Sequence, residues 1–123
     1  MKSPNLQRDR LSKSDEAIKT LLRLSAMHGG QEGVDALLLA ADIARRDLKD
    51  YAQESALRHQ VADDYAGAKE APKALYDSAY IYESDMKDAA KAIEIYKEVE
   101  TKYPSHKLSK KAADRIAKLA AAN

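Results

Sequence analysis

The sequence predicts an all-α fold, a right-handed solenoid of antiparallel helical hairpins with about five to six helices. Two observations lead to this prediction: apolar residues recur at helical spacing along most of the chain, and the spacing itself repeats after 38 residues. The composition agrees with it. The 123 residues are 45% apolar but include no Phe and no Trp, which predicts a core of Ala, Leu, Ile and Tyr whose small members let helices approach closely.

The most regular part of the sequence, residues 71–104, predicts two helices joined by a short polar turn. In each half, apolar residues recur at three- and four-residue intervals and therefore share one face of a helix. Asp85 in the turn is expected to cap the second helix, with Asp88 in a capping box, and Pro104 to end it. Helices so closely connected run antiparallel and bury their apolar faces against each other. The faces consist of Ala71, Ala74, Leu75, Ser78, Ala79 and Tyr82, and of Ala89, Ala92, Ile93, Tyr96, Val99 and Tyr103.

The same spacing occurs 38 residues earlier, which makes the chain a repeat array rather than a protein with a single core. Residues 47–50 match residues 85–88 in the turn, and the Tyr that closes the second helix is present in both copies. The earlier copy departs from the pattern at Glu54 and Arg58, which stand where the later copy has an Ala and a Tyr. This departure predicts that the earlier helix has slipped in register or lost the pattern.

The repeat also predicts the organisation of the chain. Ser12 or Ser14 is expected to cap the first helix and Ser105 to cap the last. The first helix begins like the second helix of a repeat, which suggests that the chain was cut from a longer array. The last helix carries one apolar stripe with a polar back, as expected at the end of a solenoid. The segments are a disordered or frayed stretch 1–13 and one domain 14–123, which contains an unpaired helix 14–28, a repeat 31–66, a repeat 71–104 and a capping helix 105–121.

These residues resemble the tetratricopeptide repeat (TPR), whose pattern is a bulky residue, a Leu followed by a small residue, a Tyr, then Ala-x3-aromatic and a closing Pro. The resemblance covers roughly residues 34–121, and it departs from the family where a Leu replaces Trp and a Ser replaces Leu. The ending Val99-x3-Tyr103-Pro104-Ser105 is similar to the variety in bacterial envelope proteins, such as outer-membrane-assembly lipoproteins and the periplasmic partner of the Tol-Pal system. The matching residues are Leu75, Ser78, Ala79, Tyr82, Ala92, Tyr96 and Pro104.

The resemblance implies a protein–protein interaction module, because the first helix of each TPR hairpin lines a concave groove that holds an extended or helical peptide. Tyr76 and Tyr80 offer rigid rings with polar tips for such contacts; packing against the neighbouring hairpin is the alternative for both. Asp77 and Leu39 stand where chaperone-tail binders use Asn, which argues against a carboxylate clamp, and an acidic rim favours a basic or apolar peptide. The predicted groove residues are Asp35, Leu38, Leu39, Asp42, Arg45, Lys73, Tyr76, Asp77, Tyr80 and Glu83.

The net charge of +1 conceals an uneven distribution, with +3 in residues 1–13, −7 in residues 14–101 and +5 in residues 102–123. Two further functions therefore stay open, although the charges also fit ordinary solvated faces. One is self-assembly, in which the unpaired first helix docks on a second copy and forms a homodimer or filament. The other is weak electrostatic binding of nucleic acid or anionic membrane by the basic C-terminal helix, which lacks the aromatic interleaving of nucleic-acid binders.

The sequence contains no pattern of reaction chemistry, so we predict no enzyme, catalytic residue, metal site or cofactor. The chain has no Cys, and His28, His59 and His106 are far apart. The acidic pairs recur at the same turn of both copies, as helix caps do. No segment has the apolar run of a signal peptide or the ~20 apolar residues of a membrane span. The compartment stays open: cytoplasmic, or periplasmic if a signal has been removed.

Overall fold

The structure, a computed structural model, describes residues 4–122, and the side chains from residue 6 onward. Within this range the chain is helical without strands, and each helix packs against the one that follows it. The predicted all-α helical solenoid is therefore confirmed. The α-helices are α1 (Pro4–His28), α2 (Gly30–Ile43), α3 (Tyr51–Asp64), α4 (Ala71–Ser84), α5 (Ala89–Lys102) and α6 (Lys107–Ala121), and a π-helical segment (Ala44–Leu48) follows α2.

Helix α1 begins earlier than predicted. Residues 4–13, expected to be disordered or frayed, form its first turns, and neither Ser12 nor Ser14 caps it; residues 1–3 lie outside the described range. The helix is also not unpaired, because Ile18 is buried against Val34 and Leu37 of α2. This apolar contact holds α1 against α2.

The repeat of 38 residues extends to the backbone of the turns before α3 and α5. Lys49 and Lys87 adopt the left-handed conformation, with φ of 50° and 56°. Asp50 then accepts a hydrogen bond from the Gln53 N–H at 3.1 Å, and Asp88 accepts the equivalent bond from Lys91 at 3.0 Å. These carboxylates cap the two helices.

The prediction that Asp85 caps the second helix is therefore wrong, and its counterpart Asp47 in the earlier copy does not cap α3 either. The left-handed lysine lengthens each turn, so the helix begins four residues beyond these aspartates. The last cap is also different, because His106 rather than Ser105 caps α6 by accepting the Leu108 N–H on Nδ1 at 3.0 Å. In both cases the turn conformation, not the residue type, selects the cap.

The repeated tyrosine at the end of each second helix ties one hairpin to the element before it. The Tyr65 hydroxyl donates to the Ser25 carbonyl at 2.8 Å, and the Tyr103 hydroxyl donates to the Ala66 carbonyl at 2.9 Å. The backbone at both tyrosines is no longer helical, with φ of −134° and −130°. Each ring therefore closes its hairpin and fixes the stacking of the array.

The core consists of two clusters that meet in the middle of the chain. Leu37 and Val61 are fully buried in the first cluster, between α1, α2 and α3. Leu75 and Tyr96 are fully buried in the second, between α4, α5 and α6. Helix α4 contributes to both, with Ala74 in the first cluster. The α2, α3 and α4 surfaces are consequently held together by continuous packing.

Helix α3 keeps the register of the repeat, so the predicted slip in register is wrong, whereas the alternative, loss of the apolar pattern, holds at Glu54 and Arg58. Glu54 is buried at the position that Ala92 occupies in α5, and Leu57 and Val61 complete the inward face. The buried charge is tolerated because arginine side chains surround it, and this arrangement belongs to the binding surface described next.

Candidate partner-binding groove

Two adjoining cavities lie between α2, α3 and α4. The first measures about 450 Å³ and has Leu38 and Ala74 among its apolar lining. The second measures about 360 Å³ and extends to Tyr80 and Ile81. We call the two together the groove. Six of the ten predicted groove residues line it, namely Leu38, Asp42, Arg45, Lys73, Asp77 and Tyr80.

The floor of the groove is a buried carboxylate held by two guanidinium groups. The Glu54 side chain is only 3% exposed. It accepts hydrogen bonds from Arg45 Nε at 2.8 Å and from Arg58 Nε at 3.0 Å. Arg58 also donates to Asp42 at 2.9 Å. Because an unpaired buried charge is strongly destabilising, these bonds explain how Glu54 occupies a core position.

Arg45 connects this floor to the next hairpin. Its guanidinium donates to Asp85 at 2.5 Å and lies 4.9 Å from the centre of the Tyr51 ring. The hydrogen bond to Asp85 raises the pKa of the Arg45 guanidinium above its usual value, although burial opposes the rise. Arg45 is therefore a permanent cation that links α2, α3 and the α4–α5 turn.

Two further charged side chains of the groove pair with each other, beside an exposed aromatic ring. Lys73 donates to Asp77 at 2.7 Å. Tyr80, one α-helical turn farther along α4, is 49% exposed. The groove therefore presents a large amphipathic ring among paired charges.

Four predicted groove residues lie elsewhere. Asp35 accepts the Gln31 amide at 2.8 Å, and Leu39 is exposed on α2. The half-buried Tyr76 ring lies 5.3 Å from the Tyr96 ring, and burial raises the pKa of Tyr76. Glu83 accepts the Tyr96 hydroxyl at 2.8 Å. These four residues do not line the groove.

The Glu83 carboxylate instead belongs to the junction of α4, α5 and α6. Besides the hydrogen bond from Tyr96, it accepts two from the Arg115 guanidinium of α6, one on each carboxylate oxygen. Burial raises the pKa of the Tyr96 phenol above its usual value, and the hydrogen bond to Glu83 raises it further. This junction packs the last helix onto the second hairpin.

A second polar cluster lies on the α3–α5 side of the array. The His59 ring contacts Asp63 at 2.9 Å through Nδ1 and both Glu98 oxygens at 3.0 Å through Nε2. Asp63 also accepts from Lys102 at 3.1 Å. Burial alone would raise the pKa of Asp63, but the bonds from Lys102 and His59 lower it below its usual range. The wide spacing of the three histidines along the chain did not predict these carboxylates, one of which comes from the next hairpin.

The basic residues of the C-terminal part are divided between pairs and free surface. Lys102 pairs with Asp63, and Arg115 pairs with Glu83. Lys107, Lys110 and Lys111 are exposed on α6. No helix within residues 4–122 is both long and apolar enough to cross a membrane.

The comparison with protein families identifies the second hairpin. Residues 73–106, which include most of α4 and all of α5, match the family model of the tetratricopeptide repeat. This segment is similar to a single tetratricopeptide repeat. The searches of curated proteins and of solved structures gave no significant match. The TPR match indicates a protein–protein interaction module, and the envelope-protein variety stays a prediction.

Proposed function

We propose that the groove binds a peptide segment of a partner protein. The exposed ring of Tyr80 carries this proposal, because it stands at the edge of a cavity while its neighbours Arg45, Lys73 and Asp77 already have partners. Partly exposed aromatic rings beside a cavity are frequent anchors of protein interfaces, since they bury a large area with little loss of conformational entropy. The TPR match of α4 and α5 supports the same role.

The charges of the groove favour a peptide with an apolar anchor. The predicted acidic rim would have favoured a basic peptide as well, but acidic and basic side chains are balanced around the two cavities. A strongly charged peptide would have to displace existing pairs, whereas an apolar side chain can cover Leu38 and Tyr80 without doing so. The charged lining residues are Asp42, Glu54, Glu70 and Asp77, and Arg45, Arg58, Lys69 and Lys73.

Selection of peptides from a random display library against the full chain tests this proposal. Binding of the selected peptides is then measured by fluorescence anisotropy. We expect Tyr80→Ala to weaken binding by at least about 10-fold, as for the loss of an interface hot spot, and Leu38→Ala to weaken it less. Met27→Ala on α1 is the matched control, because Met27 is an exposed apolar residue remote from the groove.

Peptides that bind Tyr80→Ala and Leu38→Ala as tightly as the unchanged chain would contradict the groove assignment, and so would a selection that yields no binder. Tyr76 is left intact in this experiment. Its ring packs on Tyr96, so its removal would affect folding as well as any binding.

Self-assembly through α1 is a second candidate, and a specific surface favours it. Leu6, Leu24 and Met27 are exposed on one side of α1, with Met27 75% exposed. The inner helices have a helix packed on each side, whereas α1 packs on α2, on the segment that follows α2 and on Tyr65 at the end of α3. A second copy of α1 would cover this apolar face.

A further inference from the structure

The His59 imidazole is held between carboxylates from two different helices. Asp63 lies one turn farther along α3, and Glu98 comes from α5 of the next hairpin. The contacts measure 2.9 Å from Nδ1 to Asp63 and 3.0 Å from Nε2 to each oxygen of Glu98. The arrangement shares no residue with the groove, so its chemistry is independent of peptide binding.

A neutral imidazole has one N–H for its two carboxylate neighbours, so one ring nitrogen faces a carboxylate as a lone pair. In the tautomer that donates Nδ1–H to Asp63, Nε2 presents its lone pair to the two oxygens of Glu98, which also carry lone pairs. Either a proton or a metal ion must lie between them. Zinc binds imidazole nitrogen at about 2.0 Å and carboxylate oxygen at about 2.0–2.2 Å, so neighbouring donors on a tetrahedral ion lie roughly 3.3 Å apart. The separations of 3.0 Å are those of a hydrogen bond, and a small shift of the side chains lets one ion contact both donors.

Asp63 is placed to orient the histidine rather than to bind the ion. Its carboxylate lies 2.9 Å from Nδ1, whereas Glu98 contacts Nε2. Metal-binding histidines commonly donate their other N–H to a carboxylate, which fixes the tautomer and strengthens the donor. Lys102 holds the Asp63 carboxylate at 3.1 Å and so fixes its position in turn.

An ion can reach this place through an adjacent cavity. A space of about 270 Å³ is lined by His59 and Glu98 together with Tyr82 and Lys91. It has room for the water molecules that would complete a coordination shell. The Lys91 ammonium pairs with Glu94 at 3.4 Å, and its charge is therefore partly compensated there.

We propose that His59 Nε2 and the Glu98 carboxylate bind a divalent transition-metal ion of the zinc type, with Asp63 as the positioning residue. A mixed nitrogen and oxygen donor set favours such ions over calcium or magnesium. The bound ion links α3 to α5, the second helices of successive hairpins. Lys97 stands at the His59 position of the second repeat, so the site belongs to this junction.

Calorimetric titration of the full chain with Zn²⁺ tests the proposal, with Co²⁺ absorption as a second readout. We expect one ion per chain and a rise in melting temperature on binding. Asp63→Asn is expected to lower the affinity by about 10-fold to 100-fold, the usual effect of removing an orienting carboxylate. His59→Ala and Glu98→Gln each remove a ligand and should lower it further. His28→Ala is the matched control, because His28 has Glu32 beside it at 3.6 Å but is on another part of the surface.

Circular dichroism of each variant without metal separates loss of the ligand from loss of the fold. The proposal is wrong if the unchanged chain takes up no Zn²⁺ at millimolar concentration, in which case His59 holds only a proton between the carboxylates. It is also wrong if binding survives both His59→Ala and Glu98→Gln, or if His28→Ala abolishes it.

Discussion

Gly33 lies near the start of α2, where the Tyr65 ring crosses the helix. A Cβ at this position would be 2.1 Å from the Tyr65 hydroxyl oxygen and 2.6 Å from the ring carbon that bears it. The hydroxyl is held by its bond to the Ser25 carbonyl at 2.8 Å. Moving the ring away would break the contact that closes the first hairpin onto α1.

Gly33→Ala should therefore destabilise the protein, even though Ala is the better helix former by about 1 kcal/mol. We expect the free energy of unfolding in urea to fall by about 1–3 kcal/mol, the usual penalty of overpacking. Gly67→Ala is the control, because no atom lies within 4 Å of a Cβ there, and it should leave stability unchanged or slightly raised. Equal stability of the two variants would show that the Tyr65 contact is not required.

At the scale of the element, α3 and α5 solve the same packing problem with different chemistry. Helix α5 fills its inward positions with Ala92 and Tyr96, which are both fully buried. Helix α3 has Glu54 and Arg58 at the equivalent positions and depends on an ion-pair network that reaches Arg45. The apolar pair packs without charge, whereas the ionic pair is stable only while each member is present.

Glu54→Ala should destabilise the protein by about 1–3 kcal/mol, because it removes the buried carboxylate that Arg45 and Arg58 share and leaves the mostly buried Arg58 with Asp42 alone. The double variant Glu54→Ala, Arg58→Tyr copies the pair found in α5 and should regain at least about 1 kcal/mol. Urea denaturation followed by circular dichroism measures both. A double variant less stable than the single one would mean that α3 cannot accept the packing of α5.

At the scale of the whole molecule, the array has two ends with different surfaces. The α1 end exposes Leu24 and Met27, and the α6 end carries the exposed lysines. Two copies that met through α1 and α6 would bring the basic N-terminal and C-terminal segments together. Pairing of α1 with a second α1 instead uses one self-complementary apolar patch, as in an isologous dimer.

We therefore expect light scattering to give the mass of a dimer at high protein concentration and of a monomer after dilution. Leu24→Lys should shift the equilibrium to the monomer, because it places a charge in the apolar patch. Leu39→Lys is the control, since Leu39 on α2 is similarly exposed, at 47% against 40% for Leu24. A monomeric mass at every concentration, or an equal effect of both variants, would exclude association through α1.

The sequence by itself determined the helices, their order and the repeat. Apolar spacing predicted about five to six helices, and the offset of 38 residues predicted the matching turns later found at Lys49 and Lys87. Six of the ten predicted groove residues line one surface. These features follow from local periodicity, which is present in the order of the residues.

Only the tertiary structure decided which side chains meet across the array. The register of α3 depends on Arg45, nine residues before Glu54, and the cluster at His59 depends on Glu98 from the next hairpin. The placement of Tyr76 and Glu83 likewise depends on Tyr96 and α6. Burial and charge pairing are set by packed neighbours distant along the chain, and helical periodicity carries no information about them.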